Sequence, residues 1–435
     1  MKGVSPTISI TCCFIAVLSS SEHFQFVVSC KKLCVFNKNC TLYGGSLLQS
    51  NSKENRLIAG TMFAFMVSGA TSLALGSLIP FLRSTYNLSY EFAGMLVSLQ
   101  SVGNLVSVGL MGFLPVFLGR RKSVLIMAIW MAISYLMFTT GWGGAALLPI
   151  LCFAMGVTKG GNANFANTMM STLPGQKAGI GYNLAHGAYA VGALASPLLI
   201  VACTNANASG WRIATAVLFA LCLLQLIDYS IVPIPDNKVT KSVKTIDRSF
   251  LKNKSFWLAS GILFFYVSAE YSITGWLVTY FQDIGVLSDN LSQMMSSLLW
   301  CVMFIGRMIG AAIIGKVSRK LLLLVDGIGL TIFFLIVFFS RSELPIIIGI
   351  AGVGLFMATI YTSAMALGTE SVRGNDLGVS AMTLTGVAGG IITPAAVGFV
   401  AEHAGIQMGM GVVVGATVML LIMILVSTIS SGTEK

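Results

Sequence analysis

Residues 321–340 read LLLLVDGIGLTIFFLIVFFS, with Arg319 and Lys320 before them and Arg341 after. Twenty helical residues rise about 30 Å, the thickness of the hydrocarbon core of a bilayer. A single carboxylate, Asp326, interrupts the run near its start. The stretch reads as a membrane-crossing helix bounded by basic residues.

The rest of the chain repeats this pattern. Of 435 residues, 56% are hydrophobic and 9% are charged, against roughly 25% charged in an ordinary soluble domain. A soluble protein of this size could not cover itself with so few charges, whereas lipid solvates such a surface. From Arg56 onward, twelve apolar runs lie near 57–82, 90–117, 123–142, 146–171, 178–203, 211–233, 256–281, 291–315, 321–340, 345–368, 377–400 and 407–429. Many contain glycine, which suits close helix packing in lipid. The expected fold is an all-α membrane protein with twelve transmembrane helices.

The formal charge of +11 could suggest nucleic acid. The basic residues, however, sit in short clusters between apolar runs, as orientation signals do, so no nucleic-acid partner is expected. Placing the segment before Arg56 in the cytoplasm and alternating puts Lys53, Arg56, Arg120, Arg121, Lys122, Lys177, six basic residues from Lys238 to Lys254, Lys316, Arg319, Lys320, Arg373 and Lys435 inside. Only Arg83, Arg212 and Arg341 fall outside, seventeen against three. The expectation is a multi-pass plasma-membrane protein with both termini cytoplasmic.

The longest polar connection divides the runs six and six. The expected organisation is an N-terminal extension over 1–55, a first six-helix bundle over 56–234, a cytoplasmic linker over 235–254, a second bundle over 255–430 and a tail over 431–435. The extension differs from the rest: it holds Cys12, Cys13, Cys30, Cys34 and Cys40, five of the nine cysteines, and Lys2 followed by Ile8–Leu18 faintly resembles a signal peptide. It is expected to be poorly structured and dispensable. Cys152, Cys203, Cys222 and Cys301 lie singly in apolar runs and read as small hydrophobes, so no metal site is expected.

The two sets of six also resemble each other. Phe65–Met66–Val67–Ser68 matches Phe265–Tyr266–Val267–Ser268 at an offset of 200, and Gly103–Asn104 faces Gly306–Arg307 at 203. Gly112 faces Gly315 at 203, and Gly192 and Pro197 face Gly389 and Pro394 at 197. Several matches in the same order at nearly constant spacing indicate a parallel six-plus-six repeat. That is the architecture of rocking transporters, whose substrate site lies between the halves near the midplane.

The connection between the second and third runs, Gly112–Phe113–Leu114–Pro115–Val116–Phe117–Leu118–Gly119–Arg120–Arg121–Lys122, resembles the loop signature of the major facilitator superfamily. Both glycines and the terminal basic cluster are kept, whereas Val116 stands where that signature has Asp and Phe117 where it has a basic residue. Within the superfamily the chain is most similar to the fucose-permease-like sugar transporters. That likeness rests on Asn183–Leu184–Ala185–His186 with Gly192 and Pro197, and on Tyr266–Val267–Ser268–Ala269–Glu270 with Gly275–Trp276. It implies a monomeric secondary transporter that moves a monosaccharide or related small polar solute by alternating access, with a proton as coupling ion. A multidrug or metabolite exporter of the same fold, and a non-transporting membrane receptor, are the alternatives.

Ionisable groups at membrane depth cost on the order of 2.5–3.5 kcal/mol each on insertion scales, and so mark candidate sites. Lys159 in the fourth run and Glu270 in the seventh lie near the midplane. The resemblance implies that helices one, four, seven and ten line a central cavity, so these two are expected to form a switchable ion pair across it. Asn162, Asn183 and His186 offer the donors and acceptors that hydroxyls require, and Tyr266 and Trp276 offer aromatic faces for a sugar ring. These seven are the expected substrate-binding residues. Gly112, Gly119, Arg120, Arg121 and Lys122 are expected to act in gating. Arg307 is expected to pair structurally with Asp326, and Gln100 and Asn104 to bond a neighbouring helix. Lys159 leaves an anionic substrate such as a sugar acid open. The Gly310–Lys316 stretch resembles a phosphate loop but continues an apolar helix and has Val317 where Ser or Thr belongs, so no nucleotide is expected. Nothing in the sequence supports an enzyme or a cofactor.

Overall fold

The computed structural model describes residues 16–20, 23–27, 52–171, 176–207, 209–234, 249–313, 316–371 and 376–430. The chain forms two units, Met1–Ser52 and Lys53–Lys435. In the first, β1 (Ala16–Ser20) pairs antiparallel with β2 (His23–Val27), Ala16 opposite Val27 and Ser20 opposite His23. The expectation of a poorly structured extension, with its five cysteines, otherwise falls outside the described residues.

The second unit is helical. Its first set comprises α1 (Ser52–Tyr86), α2 (Tyr90–Leu118), α3 (Arg120–Thr140), α4 (Gly144–Ser171), α5 (Gln176–Ala206) and α6 (Gly210–Ile231). Its second set comprises α7 (Lys254–Ile284), α8 (Asp289–Ile313), α9 (Arg319–Phe339), α10 (Glu343–Met357), α11 (Ile360–Ser371), α12 (Asp376–Ala404) and α13 (Ile406–Ser430). Among the described residues, twelve segments are long and apolar enough to cross a membrane, with α10 and α11 joined as one span over Glu343–Thr369. We call the face where α1 begins and α13 ends the near face, and the opposite one the far face.

Helices dominate because lipid offers no partners for backbone N–H and C=O groups, which a helix satisfies internally. The ends are closed by local chemistry. Ser89, Asn253 and Ser318 accept bonds from the first-turn amides of α2, α7 and α9. Gly119, at φ 78°, ends α2 and starts α3, a left-handed turn that a side chain would oppose. The second glycine of the loop motif therefore has a geometric reason.

Within the first set, α2 packs on α4, α3 on α6 and α5 on α6; within the second, α7 packs on α12 and α13, and α8 and α9 on α10. Backbones approach so closely that a Cβ at Gly103 would strike the Phe153 carbonyl, and one at Gly156 the Gln100 carbonyl. Between the sets, α2 packs on α12 and α5 on α8.

The tenth run departs from expectation. A single helix over 345–368 is interrupted at Ala358–Thr359, where the Ala358 amide reaches back only three residues, to Leu355. The carbonyl of Met357, beside this break, accepts the Tyr266 hydroxyl at 3.2 Å. Apolar character continues through the break, so hydropathy alone could not show it. The near-face linker, residues 235–248, lies outside the described residues.

Candidate functional site

Two consecutive residues of α7, Glu270 and Tyr271, organise the midplane. Successive side chains on a helix diverge by about 100°. Tyr271 is therefore turned to the first set and Glu270 toward α8. The Lys159 ammonium of α4 lies over the Tyr271 ring, 4.7 Å from its centre. Glu270 feels Arg307 of α8 more strongly than Lys159 and stands beside the Tyr266 hydroxyl. The expected direct pair of Lys159 with Glu270 is thus not closed: among the described residues they make no ion pair, because Tyr271 occupies the α4 side of α7.

Other polar groups converge here. Asn104 of α2 reaches the Tyr271 hydroxyl. Tyr189 of α5 lies within electrostatic reach of Lys159, Tyr271 and Glu270, and close to the Ser72 hydroxyl of α1. Tyr361, the second residue of α11, has its ring centre 6.1 Å from that of Tyr266, the two planes tilted by 52°. Lys159, Asn104, Glu270, Tyr271, Arg307, Tyr189 and Tyr361 are all partly exposed. Half-exposed polar side chains from both halves at one depth describe a chamber with two cations, one carboxylate and a tyrosine wall.

The remaining expected residues have separate fates. His186 is exposed, packs edge-on against Phe65 at 5.3 Å and lies within reach of the Arg307 charge, so it looks across the same gap. Asn162 is 2% exposed and accepts the Tyr229 hydroxyl at 3.1 Å, an internal bond of the first set. Trp276 is fully buried and donates to the Pro394 carbonyl at 3.1 Å. Tyr266 is 1% exposed, with its hydroxyl given to Met357. Asn162, Tyr266 and Trp276, three of the expected contacts, thus have almost no exposed surface in this conformation. The side chain of Asn183 lies outside the described residues.

Arg307 also departs from its expected structural pairing. Asp326 accepts a bond from Thr359 instead, and Arg307 serves the chamber. Gln100 bonds the α1 carbonyl of Ser72 at 3.3 Å, an interhelical bond as expected, while Asn104 turns to the chamber. A sequence signal for Arg307 existed: the internal repeat sets it opposite Asn104, and both reach the residue pair Glu270–Tyr271.

Beyond the chamber the two ends of the interface differ. Toward the far face, Gln293 of α8 donates to the Ser77 carbonyl of α1 at 2.8 Å, Ser297 of α8 to Leu194 of α5 at 3.0 Å, and Ser98 of α2 to Ile391 of α12 at 2.7 Å. At the rim Arg83 pairs with Asp283 at 2.7 Å and covers the Tyr90 ring at 3.5 Å. The Tyr90 hydroxyl donates to Asp283 at 2.8 Å and its amide to Glu402 at 2.7 Å. Asn290 donates to Asn205 at 2.7 Å. Of the expected gating residues, Arg121 donates to the Ser230 carbonyl of α6, within its own half, and Arg120 and Lys122 open α3 beside Gly119. The surroundings of Gly112 lie outside the described side chains.

Comparison with known proteins agrees with this architecture. Residues 61–393 match the profile of the Major Facilitator Superfamily. An uncharacterized MFS-type transporter of Yersinia pestis is 24% identical over 362 residues, covering 81% of this chain and 91% of that protein. The cis,cis-muconate transport protein of Acinetobacter baylyi is 24% identical over 403 residues, covering 85% of this chain and 94% of that protein. Among solved structures, a bacterial homologue of the human lysosomal transporter Spinster, inward-facing and occupied, superposes with a TM-score of 0.73 at 13% identity, covering 88% of this chain and 98% of its own.

Proposed function

We propose, from the premise that this chain belongs to the major facilitator superfamily and is a transporter rather than an enzyme, that its solute is a small organic acid. The carrying observation is the charge balance of the chamber: Lys159 and Arg307 face one carboxylate, Glu270. A carboxylate solute satisfies the surplus cation, and a bidentate carboxylate suits the planar guanidinium of Arg307. The muconate transport relative, a carrier of a dicarboxylate by its name, supports this reading.

The tyrosine wall of Tyr189, Tyr271 and Tyr361 favours a second reading, a neutral monosaccharide, which is the solute class the fucose-permease likeness implies. Hydroxyls bond phenols, and ring faces pack on sugars. Sugar acids join both readings. Glu270, Lys159, Arg307 and His186 are the proposed solute-facing residues. Gly119 and the Arg120–Lys122 cluster are proposed to latch the near ends in the opposite conformation. The seventeen-to-three basic count supports near-face termini in the cytoplasm of a plasma membrane, and a monomer suits one chamber per chain.

The test is thermal stabilisation and counterflow of purified protein with cis,cis-muconate, a hexuronic acid and neutral hexoses. The acids are expected to stabilise the wild type. Arg307→Gln and Lys159→Gln are each expected to weaken them about 10- to 150-fold, the equivalent of roughly 1.5–3 kcal/mol for a charge-assisted bond. Stabilisation by hexoses alone, unaffected by either substitution, would establish the sugar reading instead.

A further inference from the structure

If a proton is coupled to transport, it needs a titrating group at membrane depth, and α1 carries no carboxylate beyond Glu54 at its near-face start. Another carboxylate at depth is unused by the solute chamber. Asp326 of α9 is 6% exposed and accepts the hydroxyl of Thr359. Thr359 lies in the α10–α11 break, two residues after Met357, whose carbonyl is held by Tyr266 beside Glu270. The two sides of one helix break are thus tied to two different carboxylates.

The surroundings of Asp326 hold no compensating cation among the described residues. The helices packed on α9 are α10, α11 and α13. Helix α13 has no ionisable side chain from Ile406 to Ser430, and α10 has only Glu343, at its far-face start. Helix α11 has Tyr361, turned to Tyr266, and Glu370, whose side chain lies outside the described residues. Helix α8 meets Thr359 through Gly310, and its Arg307 acts on Glu270. On α9 itself, Arg319 and Lys320 stand about two turns away, at the near-face edge.

We infer that Asp326 is a proton-binding site whose occupancy sets the geometry of the break in the tenth span. The physical ground is that a charged acceptor grips a hydroxyl roughly twice as strongly as a neutral one. Ionised, Asp326 holds Thr359 and with it the start of α11. Protonated, its carboxyl neutralises an isolated charge at depth and loosens that grip, freeing α11 to move against the Tyr266–Met357 anchor. Substrate at Glu270 and a proton at Asp326 then act on the same two-state element, which is what coupling requires.

The inference bears on coupling in the proposed transporter but is tested without any solute, so its failure is separate from failure of the organic-acid reading. Infrared difference spectra of purified protein, stepped between mildly acidic and mildly alkaline pH, are expected to show a protonated-carboxyl C=O band that is lost on raising pH. The band is expected to be absent in Asp326→Asn and displaced in Thr359→Val, which keeps the carboxyl but removes its partner. A cysteine placed at Ser363, which is 5% exposed just beyond the break, reports its geometry on a background without other reactive thiols. Its maleimide labelling rate, divided at each pH by that of a solvent-exposed reference thiol to remove the thiolate fraction, is expected to change about fivefold or more with pH in the otherwise wild-type protein and to be pH-independent with Asp326→Asn. A band that persists in Asp326→Asn and stands unmoved in Thr359→Val overturns the site. A normalised labelling rate with the same pH dependence in both backgrounds overturns the link to the break.

Discussion

At its far end the interface between the halves joins Arg83 to Asp283, Tyr90 to Asp283 and Glu402, and Asn205 to Asn290; at its near end Arg121 bonds the Ser230 carbonyl within its own half. The far seam has two grades of material. Its rim is polar and partly exposed, with Arg83 at 19% and Asp283 at 28% side-chain exposure, so each bond is worth little against water. Its deeper part is buried and close-packed: a Cβ on Gly76 would strike the Thr274 carbonyl, and Gly94 and Gly398 meet beside Trp276. The difference teaches how such a seam can be both tight and reversible. Small residues let the backbones meet, and modest polar bonds add a closure energy that solute binding can offset.

Four substitutions sharpen or break this contrast, each read as the ratio of far-closed to far-open protein from spin-label distances across the far rim. Gly76→Leu should have the largest effect, because the neighbour is backbone and cannot yield; overpacking of about 1–3 kcal/mol lowers the closed fraction some 5- to 150-fold. Near-side thiol labelling should fall with it. A wild-type ratio there would refute the role of close backbone packing. Asp283→Asn removes the charge that gathers Arg83 and the Tyr90 hydroxyl, and at this exposure should shift the ratio by about 1–2 kcal/mol. High salt should reproduce part of that shift in the wild type. Ser98→Ala deletes a partly buried bond to the Ile391 carbonyl, for about 1 kcal/mol. Asn205→Ala, at the exposed rim, should stay within about 0.5 kcal/mol. If Asn205→Ala exceeded Gly76→Leu, the assignment of depth to packing and rim to trimming would be reversed.

The chamber repeats the lesson at the level of single residues. Lys159 and Glu270 were legible because charge in an apolar run stands out, and both reach the midplane chamber. Their mutual pairing was not legible, since it depends on Tyr271 being turned to α4. Asn162 and Trp276 resembled solute contacts by type, yet both are buried, with Tyr229 bonding the Asn162 Oδ1 and the Pro394 carbonyl taking the Trp276 indole N–H. Arg307 was assigned to Asp326 on proximity of helix ends. The repeat had already set it opposite Asn104, and that correspondence was the better guide.

The amino-acid order alone determined the spans, their number and the internal repeat, because burial of an apolar run in lipid is a local property of about twenty consecutive residues. It also determined which charges lie at depth. Tertiary structure alone decided which of those charges meet, that the tenth span breaks at Ala358–Thr359, and which bonds tie the halves at the far end. Those outcomes depend on helix rotation and on partners up to hundreds of residues away, where one step along a helix turns a side chain about 100° toward a different neighbour.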